Sequence, residues 1–393
     1  MISPILPTYN RAPLSFVKGA GSWLITDDGA RYLDLGAGIA VCALGHAHPA
    51  LVDALTEQAG NLWHVSNLYR IPAQEKLADL LVSATFADTC FFTNSGTECC
   101  ELAVKMARKY WFEKGQPDRV EILAFEGSFH GRSAAGIAAA GADKLTHGFG
   151  PLLPGFRQIP WDDEAALRAA ITPDLAAVIV EPVQGEGGIR PLADDRLRLI
   201  RELCDDSGAL LILDEVQCGV GRTGRLFAHE WAGIRPDIMM VAKGIGGGFP
   251  LGALLATEAA ASGMTAGTHG STYGGNPLAC AVGAKVAEIV SDPAFLDDVR
   301  RKAGLLRQRL EGLVAAHPDV FAGVRGVGLM LGLVCRKPNT EVLAAAYGQQ
   351  LLTVPAADNA LRLLPALTIS DDEIAEAVAR LDRAAASLSD PVT

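Results

Sequence analysis

Residues 209–224, ALLILDEVQCGVGRTG, and 237–253, DIMMVAKGIGGGFPLGA, decide the fold of this chain. Each carries an uninterrupted apolar run, Ala209–Leu213 and Ile238–Ala242. Runs of that length and continuity are what strands buried on both faces of a parallel sheet require. Each run stops on a charged side chain, Asp214 and Lys243. The carboxyl ends of such strands form the crevice where open α/β sheets bind ligands. A carboxylate or an ammonium there is costly to bury without a partner. The two could serve an ordinary buried ion pair. They could also serve a ligand with a basic ring nitrogen for Asp214 and an aldehyde for Lys243. Pyridoxal 5′-phosphate (PLP) has both groups, and a phosphate besides.

The composition narrows the class. At 393 residues the chain has room for a large domain and a smaller one. Apolar residues make up 49% and glycine counts 42, which suits an α/β enzyme with many tight turns. A net charge of −11 without long runs of one sign argues against nucleic acid or an anionic membrane as partner. The eight cysteines are scattered, with no CxxC pair, which reads as reduced, mostly buried thiols. The start MISPILPTYNRAPLSF has no signal-peptide core, and no segment approaches a membrane span. These features together predict a soluble, cytoplasmic protein.

Outward from the two strands, elements alternate. Ser22–Thr26 and Arg31–Leu35 flank Asp27-Asp28-Gly29 and predict a hairpin. LGAGIAVCALGHAHPAL (35–51) leads into an amphipathic stretch to Gly60, and a helical period runs from Ala73 to Ala84. His46 and His48 could be metal ligands, but no third ligand stands near, so no metal is expected. Thr89–Phe92, Glu121–Phe125, Ala176–Val180 and Leu251–Ala256 read as further strands, with GSFHGRSAAG (127–136) a loop and Leu192–Ser207 a helix. The alternation implies a mostly parallel sheet with right-handed crossovers. Between Thr93 and Trp111, TNSGTECCELAVKMARKYW turns from Ser/Gly chemistry to a helix. Ser95, Gly96 and Thr97 fall at its start, where free amides attract a phosphate, although a plain N-cap also fits. Glu101 and Lys105 are spaced for an i,i+4 pair. Past Asn276 the pattern becomes α+β: helices over Pro277–Val290, Phe295–His317 and Asp371–Ser387, a strand within 323–335 and another at Leu361–Leu364.

Three of these stretches occur together in one known family. LILDEVQxGxGRTG, then KGxGGGFPxGA, then GTHGSTYGGNPLA resemble the class III aminotransferases of the fold-type I PLP superfamily. Within that class the chain is most similar to the N-acetylornithine aminotransferases, from about residue 10 to residue 385. The resemblance implies a large domain with a mostly parallel seven-stranded sheet and a smaller α+β domain formed from both termini. It divides the chain at 1–45, 46–280 and 281–393, with 64–72 in a loop near the active-site entrance. It implies PLP as cofactor, and a homodimer with active sites shared between subunits.

The same resemblance assigns roles. Lys243 would be the catalytic amine, a nucleophile towards an aldehyde only when deprotonated. Asp214 would meet the ring nitrogen, Gln217 the phenolic oxygen and Phe129 the ring face, with Glu215 and Val216 alongside. Ser95, Gly96 and Thr97 would hold the phosphate, and Thr272 would reach the phosphate of the other subunit. Arg132 would fork the donor's α-carboxylate, and Ser271 would contact substrate. Arg362 would take the α-carboxylate of 2-oxoglutarate, masked by Glu186 while the donor is bound. Glu181 either orients the site or caps a turn. The implied reaction passes the δ-amino group of N-acetylornithine to 2-oxoglutarate by a ping-pong route, as in arginine biosynthesis. Other donors of the class are succinylornithine, ornithine, succinyl-diaminopimelate and 4-aminobutyrate. A non-catalytic binding protein of the same fold is the remaining alternative. GVGRTG and GIGGGFP lack the Lys-Ser/Thr ending of a P-loop, and no GxSxG elbow exists.

Overall fold

The two apolar runs lie side by side as parallel strands in the computed structural model, which describes residues 4–389. Residues 1–3 and 390–393, the outer ends of the expected 1–45 and 281–393 segments, lie outside the described residues. The central sheet has seven strands. In chain order they are β1 (Thr89–Thr93), β2 (Glu121–Phe125), β3 (Phe156–Ile159), β4 (Leu175–Val180), β5 (Leu210–Asp214), β6 (Ile238–Val241) and β7 (Gly252–Ala256). Their spatial order is β1-β7-β6-β5-β4-β2-β3. β7 runs against both of its neighbours, and the remaining pairs are parallel.

The continuous apolar runs follow from burial on both sides. Leu211, Leu213, Met239 and Val241 enter one core; Leu210, Ile212, Ile238 and Met240 enter the other. Helix α1 (Gly96–Glu113) covers the second face with Cys99, Cys100, Ala103 and Ala107. The helices Pro49–Ala59 and Pro72–Ala84 cover the first face, together with α2 (Pro277–Val290). Each fully enclosed aliphatic side chain contributes about 1.5–3 kcal/mol, so the sheet is held from both faces.

A second core joins the two ends of the chain. Leu33, Leu35 and Ala43 pack with Val299, Leu306, Leu331, Leu361 and Leu381. Strands Phe321–Val327, Met330–Cys335, Val354–Ala356 and Ala360–Leu363 form an antiparallel sheet here. Strand Leu351–Leu352 adds in parallel to Arg31–Asp34, tying the C-terminal part to the N-terminal one. The boundary expected at 280 is displaced. It falls inside α2, which buries Cys280, Val282, Val286 and Val290 in the larger core. The passage from one core to the other lies in the next helix, Pro293–Ala316, where Leu296 belongs to the first and Val299 to the second.

Some local expectations change. Residues 323–335 hold two strands rather than one, because Gly328 at φ +60° turns the chain back. Residues Ala134–Ala140 are helical, so the loop expected over 127–136 ends at Ser133. Glu101 accounts for this: its carboxylate accepts the Ala135 amide instead of pairing with Lys105, which reaches Thr268 O and His269. His46 pairs with Asp34 at 2.8 Å, and the hydrogen bond it gives the Asp34 carboxylate raises its pKa to about 10. All eight cysteines are free, six of them buried. Among the described residues no helix is long and apolar enough to cross a membrane.

Candidate active site

The carboxyl ends of β1, β2, β4, β5 and β6 face the same space, the place where open α/β sheets bind ligands. The space is a cavity of about 330 Å³, within the range of small-molecule sites. β5 places Asp214 in its wall and β6 places Lys243, two residues past the strand end. β1 leads into Ser95–Thr97, β2 into Phe129 and His130, and β4 into Glu181. Gly248–Leu251, entering the reversed strand β7, close the remaining side.

Charge is distributed unevenly. Asp214 Oδ1 accepts the Val216 amide at 3.0 Å, and Oδ2 lies 2.7 Å from His130 Nδ1. His130 is buried, and its Nε2 has no partner among the described residues. Burial is the largest influence and lowers its pKa, but the bond to Asp214 and the charges of Asp214 and Glu181 together outweigh it and the net shift is upward. Glu181 is buried with its carboxylate accepting the amides of Phe129 (2.9 Å) and Gly185 (3.3 Å). Desolvation pushes its pKa up to about 7. It therefore brackets two site loops, those of Phe129 and Glu186. Lys243 adopts φ +50°, a left-handed conformation that lysine reaches only under constraint. Burial lowers its pKa; Arg362 adds to the lowering, while Glu186, Asp214 and Glu181 oppose it.

At one side of the cavity Arg362 is enclosed, and Glu186 grips it with two bonds of 2.5 and 3.2 Å. Arg362 also donates to Gln217 Oε1 (3.3 Å) and Pro355 O (3.1 Å), and Gln217 lines the cavity.

These residues fit PLP. Asp214 has used only two of the four lone-pair positions of its carboxylate, leaving capacity for a ring N–H. Lys243 Nζ has no hydrogen bond or ion pair among the described residues. Ser95 caps α1 by accepting the Glu98 amide, so the amides of Gly96 and Thr97 are left for an anion. Gly96 is bare for a reason: a Cβ there would stand 2.9 Å from Val216 Cγ1. Phe129 and Val216 supply apolar walls to the same cavity.

The profile of the family described as Aminotransferase class-III matches residues 6–385. The chain belongs to the class III aminotransferases. It is 72% identical to an acetylornithine aminotransferase of Rhodobacter capsulatus, over 99% of both chains. An N-acetylornithine aminotransferase structure from Stenotrophomonas maltophilia superposes with a TM-score of 0.86 at 41% identity, over 97% of each chain. The ornithine aminotransferase of Toxoplasma gondii superposes with a TM-score of 0.93 at 30% identity, over 97% of this chain and 92% of that one; its structure has PLP at partial occupancy in the active site.

Not every residue expected at the site of this aminotransferase stands there. Glu215 is fully buried but turned away: it accepts the amides of Ala228 and His229 and lies 2.7 Å from His229 Nδ1. Glu215 is the first residue past β5, and these bonds to Ala228 and His229 hold its side chain away from the cavity. Arg132 is exposed, its guanidinium 5.7 Å from the Phe129 ring centre and outside the cavity lining. Ser271 and Thr272 do not reach this cavity either. Ser271 Oγ accepts the Gly274 amide in a local turn, and Asn67 ties the loop down through Ser271 O and Gly274 O. His130 is the residue the sequence reading passed over. Its signal was adjacency to Phe129 in the loop after a strand, with no motif to set it apart.

Proposed function

We propose that this aminotransferase transfers the δ-amino group of N-acetyl-L-ornithine to 2-oxoglutarate, giving N-acetyl-L-glutamate 5-semialdehyde and L-glutamate. The single observation that carries the two-substrate logic is the Arg362–Glu186 pair beside the cavity. A masked arginine suits a site that must accept an ω-amine in one half-reaction and an α-keto acid in the other. Bound PLP supplies the carbonyl that receives the amino group and the electron-withdrawing ring. Asp214, oriented by His130 and the Val216 amide, holds a positive ring nitrogen. Lys243, its pKa lowered by burial, carries the proton to and from the carbon that bears the amine. Phe129 and Val216 exclude water from the ring faces. Arg132, exposed beside Phe129, is placed to fork the donor's carboxylate, and Ser95, Gly96 and Thr97 to hold a phosphate.

A homodimer accounts for Ser271 and Thr272. Their loop is bordered by Trp63, Leu68, Tyr69 and Tyr273, all strongly exposed, and His64 contacts the Tyr273 ring. An apolar surface of this kind marks an interface. In the dimer the loop serves the other subunit's phosphate. The enzyme works in the cytoplasm, with residues 1–45 and the chain beyond α2 forming its small domain.

The test is to add N-acetylornithine, without keto acid, to the purified holoenzyme and follow its long-wavelength absorption. Loss of the band, and its return with 2-oxoglutarate, supports the reaction. A band that responds only to ornithine, succinylornithine or 4-aminobutyrate moves the assignment to that donor. A band indifferent to every amine leaves a binding protein.

A further inference from the structure

Arg222 is fully enclosed and has no carboxylate partner among the described residues. Such a charge is costly to bury, and one kept without a counter-ion must be used for its geometry. Its Nη1 donates to Leu329 O at 3.1 Å and Pro365 O at 2.5 Å, and the Leu329 amide donates back to Arg222 O at 2.9 Å. Nη2 is buried without a partner among the described residues. Arg222 itself belongs to the loop that follows Asp214, a loop that Glu215 braces against Ala228 and His229. Both acceptors belong to the other side. Leu329 is in the turn of the hairpin 321–335, and Pro365 lies three residues beyond Arg362. The backbones meet with nothing between them: a Cβ on Gly328 would stand 2.4 Å from Thr223 Cα and 2.5 Å from Arg222 O.

This contact bears on the masked arginine. While Glu186 holds it, Arg362 has four bonds: two to Glu186, one to Gln217 and one to Pro355. When Glu186 gives way to a keto acid, half of them are lost. The strand itself stays paired on both edges, to Met330–Cys335 and Val354–Ala356, but its register against the Asp214 loop then rests more heavily on Arg222, which fastens the strand's far end to that loop through Pro365 O.

We propose that Arg222 is a positioning residue for the keto-acid half-reaction, pinning the strand that carries Arg362 so that the guanidinium stays beside Gln217 once Glu186 has released it. The proposal rests on the two-substrate function above. It concerns the frame behind Arg362 rather than any group that touches substrate.

The test compares wild-type holoenzyme with Arg222→Lys, Arg222→Met and Gly328→Ala, measuring the two half-reactions separately and hydrogen exchange at the Leu329 amide. Small displacements of a binding group are expensive, so KM for 2-oxoglutarate should rise about tenfold in Arg222→Met. Kinetics of the donor half should change less than about twofold, since uniform damage would lower both together. Leu329 should exchange faster while β5 stays protected. Arg222→Lys, able to reach one carbonyl, should fall between. Gly328→Ala, which forces the same contact apart without removing the charge, should reproduce the split if Arg222→Met does not fold. Equal losses in both halves overturn the proposal. So does an unchanged 2-oxoglutarate KM, whatever Leu329 does. A wild-type enzyme that never accepts 2-oxoglutarate refutes the function itself, and the keto-acid role with it.

Discussion

Replacing Gly96 by alanine should weaken PLP binding while leaving the fold intact. The added methyl would stand 2.9 Å from Val216 Cγ1 and 3.0 Å from Cγ2, inside ordinary contact distance. Neither side gives easily. Gly96 opens α1, whose face is buried against β6 and β7, and the Val216 amide is bonded to Asp214. Overpacking of this kind costs about 1–3 kcal/mol. Relief would come by moving the helix start or Val216, both walls of the cavity. With roughly a factor of ten for each 1.4 kcal/mol, affinity should fall about five- to 150-fold. Alanine is a better helix former than glycine by about 1 kcal/mol, so helix propensity opposes any drop in Tm. The assay is equilibrium titration of apoenzyme with PLP, beside a thermal melt of the apo form. Val216→Ala removes the methyls that the new group meets, so the double variant should regain most of the lost affinity. Wild-type affinity in Gly96→Ala, or a loss that Val216→Ala leaves untouched, would refute the reasoning.

Three further outcomes are expected. Lys243→Ala should bind PLP through the remaining groups yet lose roughly 10²–10⁴-fold or more in transamination, read from single-turnover formation of glutamate; ordinary turnover would remove Lys243 from its role. Glu186→Gln should shift the kcat/KM ratio towards 2-oxoglutarate by about fivefold, because the carboxylate that masks Arg362 is about a third exposed and such pairs are worth only about 1 kcal/mol. A ratio that stays put, measured for the two half-reactions, would count against the mask. Glu181 has a folded pKa raised by burial from 4.5 to about 7, so ionisation opposes folding: the stability of apoenzyme should decline from pH 4.5 to about 7 and then level. Denaturant melts across that range should show a flatter profile for Glu181→Gln, and an identical profile would mean that Glu181 does not titrate there.

The central sheet was legible because strands buried on both faces must be apolar; β4 and β6 satisfy that throughout, and β5 does up to its last residue, Asp214. Their abrupt ends at Asp214 and Lys243 also located the crevice. The helix start at Ser95, Gly96 and Thr97 was legible because helix starts have their own side-chain preferences. What escaped was set by contacts remote in sequence. The helix at 134–140 depends on Glu101, and β3, a short sheet edge, carries no period to find. Glu215 was misplaced because adjacency in a motif says nothing of which way each side chain points. His130 was missed because its meaning is its distance from Asp214, 84 positions away. Ser271 and Thr272 could not be placed in a single chain's cavity, since their loop is stitched to Asn67 and faces outward.

The disposition of buried charge explains why one amine among so many ionisable groups should be reactive. Around the cavity Asp214 is answered by His130, Glu186 by Arg362, and Glu181 by two backbone amides. Each carboxylate that could have neutralised Lys243 is already engaged elsewhere. They still raise its pKa through space, yet burial outweighs them and Arg362 adds to the lowering, so the net direction is down. An exposed lysine at the same strand end would stay charged and unreactive towards an aldehyde. A lysine paired with Asp214 would be charged and fixed. The fold avoids both by giving every acid in the crevice another partner, and it holds Lys243 in a strained left-handed conformation at the point where the sheet opens. On the role proposed for Lys243, its reactivity would be a property of the partners' arrangement. Removing His130, which never touches the amine in this network, should return Asp214 to Lys243 and raise the pKa of the apoenzyme's lysine. A pH profile of that lysine's acetylation rate that is the same in His130→Ala and wild type would contradict this account.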